Sequence, residues 1–155
     1  MNKTTVQKLS ELAVEHTENF EGYSYIRKDV VSEKDALQCR VAVYEISPGR
    51  SAYPYHYHLK NEEVFYIISG QGLLRTPDGE RKVSQGNFMF FPANENGAHK
   101  LTNISETESL VYIDFDTENN IDIAVYPDSK KIGIWGKDVD KLYLMDRNVR
   151  YYEGE

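Results

Sequence analysis

Pro48-Gly49, Gly70, Gly72, Pro77, Gly79, Gly86, Pro92 and Gly97 cut the middle of this chain into pieces too short for long helices. The pieces are apolar and often alternating. Residues 38–47 set Cys39, Val41 and Val43 against Arg40, Ala42 and Tyr44, a period-2 pattern that Pro48-Gly49 ends. Residues 64–69 are nearly all apolar, which suits a strand buried on both faces or laid against a partner subunit. Thr76-Pro77-Asp78-Gly79-Glu80 is a turn, because proline presets φ and glycine tolerates positive φ. A short strand over 81–84, the run Phe88-Met89-Phe90-Phe91, an extended stretch over 99–103 and an apolar strand over 110–115 follow. Residues 121–126, 131–135 and 142–145 read as further strands. This spacing predicts an all-β sandwich or barrel.

Only the start of the chain has helical spacing. Val6, Leu9, Leu12 and Ala13 predict a short helix over about residues 5–14, with Thr4 or Thr5 as its cap. The 155 residues show no internal repeat and no linker, so a single domain over 1–155 is expected. Its motif-bearing core would run from about 40 to 116, and a C-terminal strand extension from about 117 to 155.

Composition narrows the partners. The net charge is −7 with Lys and Arg scattered, so no basic face is available for nucleic acid. No segment has the length and apolarity of a signal peptide or a membrane span, and a cytoplasmic protein is expected. Cys39 is the one cysteine, which rules out an intrachain disulfide and reads as a core thiol rather than a nucleophile.

The chain has only four histidines, and two of them sit one residue apart in YPYHYHLKNEEVFYIISG, residues 53–70. Strand alternation would point His56 and His58 the same way. Buried imidazoles need partners for their nitrogens, and an ion is the simplest one. Glu63 lies beyond a connection, 59–62, short enough for a hairpin, and His99 lies on a distant strand. Three imidazoles and a carboxylate suit a divalent transition metal such as zinc, iron, manganese or nickel, whereas calcium or magnesium would want more oxygens. Four donors leave positions open on a six-coordinate ion, and open positions belong to sites that bind or react.

Two spacings carry a resemblance. Gly49, His56, His58, Glu63 and Gly70 stand as G-x6-H-x-H-x4-E-x6-G; Gly86, Pro92, Gly97, His99 and Asn103 stand as G-x5-P-x4-G-x-H-x3-N. These resemble the first and second motifs of the cupin superfamily. The resemblance implies a small jelly-roll barrel, the double-stranded β-helix, whose metal would be held by His56, His58, Glu63 and His99. Gly49 stands one residue farther from the first histidine than in the usual pattern, and the loop 92–97 is longer than usual. The segment Ala124-Val125-Tyr126-Pro127-Asp128-Ser129 and the ending Arg150-Tyr151-Tyr152-Glu153-Gly154-Glu155 resemble a branch of small single-domain cupins.

The remaining expectations follow from alternation and turn chemistry. Tyr53, Tyr55 and Tyr57 should face away from the histidines. Residues 126–129 should form a surface turn. Glu62 and His16 should be solvated, and Arg50, Lys60 and Lys100 ordinary surface charges. Phe65, Ile67, Phe90 and Leu101 are candidates for the apolar lining of a pocket, and Asn103 for a hydrogen bond that holds a loop or supports the site. The expected function is to act on or bind a small oxygen-rich molecule at an open divalent-metal site, with oxygenase, isomerase and lyase as the reaction types open to it if it is an enzyme; the alternative is a non-catalytic module that binds or senses such a molecule. A homodimer is expected because 64–68 and 110–115 are more apolar than one small barrel can hide.

Overall fold

In the strand Glu63–Ser69 the side chains alternate between buried and half-exposed, with Glu63, Phe65 and Ile67 turned inward. That alternation sets inside and outside for the whole molecule. The structure, a computed structural model, describes residues 4–32 and 38–155. Its strands are β1 (His16–Phe20), β2 (Tyr23–Val31), β3 (Cys39–Ile46), β4 (Tyr57–His58), β5 (Glu63–Ser69), β6 (Gln71–Thr76) and β7 (Gly79–Ser84). They continue as β8 (Phe88–Phe91), β9 (Lys100–Asn103), β10 (Leu110–Thr117), β11 (Ile121–Tyr126), β12 (Lys131–Gly136) and β13 (Val139–Leu144).

Three sheets wrap the core, in the orders β1-β2-β3-β10-β5-β8, β13-β12-β11-β4 and β7-β6-β9. The order β3-β10-β5 interleaves strands far apart in sequence, as a jelly roll requires. Ile46, Ile67 and Leu110 are completely buried, and the Tyr44 and Tyr112 rings stack with centroids 5.1 Å apart. Aromatics of this size supply much of a small core's apolar burial. Gly70 closes β5 at φ +88°, where a Cβ would stand 2.7 Å from the Ser109 carbonyl oxygen, so the turn into β6 requires glycine on two counts.

Several expectations change here. The helix over 5–14 reduces to one 3-10 turn, Leu9–Glu11, and neither Thr4 nor Thr5 caps it. Val6 and Val14 are exposed and Leu9 partly so, and a helix this short does not hold without an apolar face to pack on. The 59–62 connection does not close a hairpin: β4 pairs with β11, while β5 pairs with β10 and β8. Phe90 points outward and is 60% exposed, because its register with Val64 puts it on the outer face; Met89 and Phe91 turn inward instead. Cys39 is half-buried at the start of β3 rather than in the core. His16 opens β1 as an exposed residue and Glu62 is exposed, as expected.

Candidate metal centre

The two sequence motifs meet through a backbone exchange. His56 N–H donates to the His99 carbonyl at 3.1 Å, and His99 N–H donates to the His56 carbonyl at 2.8 Å. This bridge sets the imidazoles side by side, with centroids 4.8 Å apart. His58, on β4, brings its ring to 5.0 Å from that of His56. Glu63 opens β5 facing inward, with Oε1 3.7 Å from His58 Nε2 and Oε2 3.5 Å from His99 Nε2. One ligating atom each from His56, His58 and Glu63 lies within 4.8 Å of the others. The structure thus brings together all four residues read from the spacing.

Each ring is held by its other nitrogen. His56 Nδ1 bonds the Pro54 carbonyl at 2.8 Å, and His99 Nδ1 bonds the Gly97 carbonyl at 3.0 Å. Carbonyls only accept, so both Nδ1 atoms carry the proton and both Nε2 atoms keep a free lone pair. Gly97 sits where a Cβ would fall 2.0 Å from the Pro92 carbonyl oxygen; only glycine lets the 3-10 turn Glu95–Gly97 deliver that carbonyl to His99. The same turn absorbs the extra length of the 92–97 loop, with Asn94 accepting from Asn96 N–H at 2.9 Å.

The third ring is held by a residue that sequence reading missed. His58 Nδ1 bonds the Asp122 carboxylate, whose other oxygen accepts from Lys60 N–H at 2.9 Å and Asn61 N–H at 3.2 Å. Asp122 comes from β11, which places Ala124 opposite His58. A signal was available, since Asp122 alternates in step with buried Ala124 along β11. Two further carboxylates stand beside Glu63: Asp116 lies opposite it in register, and Asp114 is two residues earlier on β10. Both are buried, and one oxygen each from Glu63, Asp114 and Asp116 lies within 4.8 Å of the others. Arg40 answers Asp116 with two bonds, 2.6 and 3.1 Å. Alternation with Leu110 and Tyr112 would have revealed both aspartates, had 110–115 not been read simply as apolar.

The electrostatics follow from burial. His56 lies well below the ordinary imidazole value, through burial and then through His99 and His58; the Pro54 bond opposes this. His99 falls to about 4, from burial first and His58 next, against the Gly97 bond. Burial pushes His58 down too, but the Asp122 bond and the charges of Glu63, Asp122 and Asp116 outweigh it and raise the ring. Glu63 rises to about 8, mainly through burial, with Asp116 and Asp122 adding and His58 and Arg40 opposing. Asp114 rises well above the carboxylate range through burial, Asp116 and Glu63. Asp122 is lowered, its burial being outweighed by His58 and the two backbone bonds.

Tyr53 is not where alternation puts it, nor Tyr126 where turn chemistry does. Tyr53 turns inward, its hydroxyl bonded to those of Tyr25 and Tyr44 at 3.1 Å, because Pro54 interrupts the strand before His56. Tyr126 is not in a surface turn: it ends β11, with its ring parallel to His56 at 5.6 Å, and the turn begins at Pro127. Phe91 stacks on His99 at 3.8 Å and Phe65 meets it edge-on at 5.3 Å. Phe65 and Leu101 do line a cavity beside His56 and His99, of about 10 Å³. Ile67 is wholly buried but lies outside that lining. Asn103 serves the loop rather than the site, bonding the carbonyls of Ile46 and Glu108 and the N–H of Ser105.

Residues 42–116 match a family model described as a cupin domain. No curated protein matches the sequence. Among solved structures, a candidate sugar phosphate isomerase from Acidithiobacillus ferrooxidans is 25% identical, with 96% of each chain covered and a TM-score of 0.79. A sugar phosphate isomerase of the cupin superfamily from Silicibacter pomeroyi is 17% identical over 92% of this chain and 94% of its own, at a TM-score of 0.81. A polyketide cyclase from Streptomyces resistomycificus is 18% identical over 74% of this chain and 80% of its own, at 0.62.

Proposed function

We propose, from the premise that the barrel of residues 42–116 is a cupin domain, that this chain holds a divalent transition ion and uses it on a small oxygen-rich molecule. His56, His58, Glu63 and His99 would be the ligands. The observation that carries this reading is the anchoring of all three Nδ1 atoms, which frees the Nε2 lone pairs, two of them within 4 Å of Glu63. Imidazole nitrogen with one carboxylate selects zinc, iron, manganese or nickel. The all-carboxylate group around Asp114 and Asp116 already has Arg40 bonded to Asp116, and burial raises Asp114 well above the carboxylate range, so the nitrogen side of Glu63 is the better seat.

Bound there, the ion would act as a Lewis acid on a carbonyl or hydroxyl oxygen, the chemistry that isomerases and lyases share. His56 and His99, neutral at pH 7, offer their lone pairs without first losing a proton. Glu63 supplies the anionic donor, and Asp122 fixes the His58 ring. Phe65 and Phe91 keep water from the back of His99. Isomerisation is favoured among the candidate reactions by the 25% identical Acidithiobacillus protein, which matches end to end. Cobalt(II) added to chelator-treated protein should give a visible spectrum that azide alters, as a small anion takes an open position. A spectrum indifferent to azide would mean a closed, structural site and would remove the proposed activity.

The chain is also proposed to pair with a second copy through the outer face of β8, β5 and β10. Phe88 and Phe90 are 74% and 60% exposed there, Tyr66 packs on Phe88 at 4.5 Å, and Phe115 is 41% exposed. Apolar surface this concentrated is hidden in oligomers. Light scattering should report twice the 17.9 kDa of one chain, and a species of single-chain mass would refute the pairing.

A further inference from the structure

Tyr126 lies against the ligand set without belonging to it. Its ring is parallel to His56, with centroids 5.6 Å apart and planes at 16°. Tyr126 ends β11 half-buried, so its ring is held against the site while its hydroxyl is not sealed in the core. A tyrosine phenol is protonated at neutral pH and has one proton to donate.

The segment that follows is tied down from outside. Asp128 takes Arg75 in a two-pronged ion pair, Oδ2 with Nη1 at 2.5 Å and Oδ1 with Nη2 at 2.9 Å. The Arg75 guanidinium lies 4.0 Å over the Tyr55 ring. Arg75 belongs to β6 and Asp128 to the turn after β11, so the pair staples the tail onto a different sheet. Bidentate geometry is the strong form of this contact, although both side chains are partly exposed. Lys130, at φ +50°, is the one non-glycine residue with positive φ among those described, and it closes the turn the staple holds. A ring needed only to cover His56 would require neither a hydroxyl nor a fixed rotor.

We propose that Tyr126 is a ligand-binding residue of this site: its phenol donates a hydrogen bond to an acceptor oxygen, of carboxylate or carbonyl type, on the small molecule held there, and the Arg75–Asp128 staple keeps the ring in place. The inference rests on the metal-site reading above.

The test uses the full chain loaded with cobalt(II) and acetate as probe, followed in the visible spectrum. Tyr126→Phe should retain cobalt and the resting spectrum, since the ring stack survives, while the acetate dissociation constant rises about tenfold. The double variant Arg75→Gln with Asp128→Asn leaves Tyr126 intact and should raise that constant about threefold. The charge-reversed pair Arg75→Asp with Asp128→Arg should recover part of the loss. Equal acetate affinity in wild type and Tyr126→Phe would overturn this inference alone. Loss of cobalt from Tyr126→Phe would make the ring structural and overturn it too. Wild-type protein that takes up no cobalt would overturn both this inference and the metal-site reading.

Discussion

The barrel core and the C-terminal hairpin meet at the same imidazoles and treat them differently. The core, β3 to β10, supplies His56, His58, Glu63 and His99 from two short segments and locks two of the rings with carbonyls two residues away. The hairpin β11–β12 supplies no ligand of its own, yet it holds the third ring through Asp122 and lays Tyr126 across the first. Farther out the hairpin is wet: Leu142, Tyr143 and Leu144 of β13 are each about half exposed. Donors are thus a local property of the motifs, whereas their orientation and surroundings come from strand pairing over long sequence distances. Ligands should be sensitive to any change, and their supports sensitive in proportion to what they hold.

The largest effects should fall on the core side. His56→Ala, His58→Ala, His99→Ala and Glu63→Gln should each remove most of the bound metal, whereas Glu62→Gln and His16→Ala should leave metal content unchanged. Elemental analysis of each variant decides this, and a His16 variant as damaging as His99→Ala would break the assignment. One step down, Asp122→Asn should keep the Lys60 and Asn61 bonds but lose the carboxylate that receives His58 Nδ1–H. A loss of about 10- to 100-fold in metal affinity is expected, read by competition with a chromophoric chelator. Unchanged affinity would mean that the hairpin is only a cover.

The legibility of the sequence follows the same division. That His56, His58, Glu63 and His99, the four proposed ligands, come together could be read because fixed spacing in a strand or a short loop nearly dictates which way a side chain faces. Alternation with Ala124 turns Asp122 inward, but its meeting with His58 is not legible, because it depends on the register that sets Ala124 opposite His58. The turn expected over 126–129 misplaces Tyr126 for the same reason, since Pro127 and Asp128 carry turn chemistry that says nothing of the residue before them. Phe90 was put inside because Phe88-Met89-Phe90-Phe91 is apolar throughout; only pairing with β5 shows which two face the core. The all-β architecture and most strands were readable from turn chemistry, while the helix over 5–14 failed for want of anything to pack against.

The smallest effect is one of pH, and it has opposite sign with and without metal. Glu63 in the folded chain titrates near 8, above its ordinary 4.5, and His58 is also raised. Folding therefore favours their protonated forms, and this contribution is lost as pH rises through 8. His56 and His99 are lowered, so their contribution is present above the ordinary 6.5 and is lost as pH falls toward 4. Chelated protein should thus gain a few degrees in Tm between pH 8 and 6.5 and lose stability below that. Metal must displace these protons, so the Tm increment it confers should shrink steadily from pH 8 to pH 5. Chelated protein should still melt cooperatively, because the hydrophobic cluster of Tyr44, Ile46, Ile67, Leu110 and Tyr112 includes none of the four proposed ligands. An increment independent of pH would mean that metal binds elsewhere.

The central claim is that this barrel carries a transition ion on three imidazoles and one carboxylate. Elemental analysis of protein purified without a metal-binding tag tests it most directly. About one zinc, iron, manganese or nickel ion per chain is expected, falling to a small fraction of that in His58→Ala. Wild-type protein that contains no such ion, and takes none up when supplied with each, would contradict it.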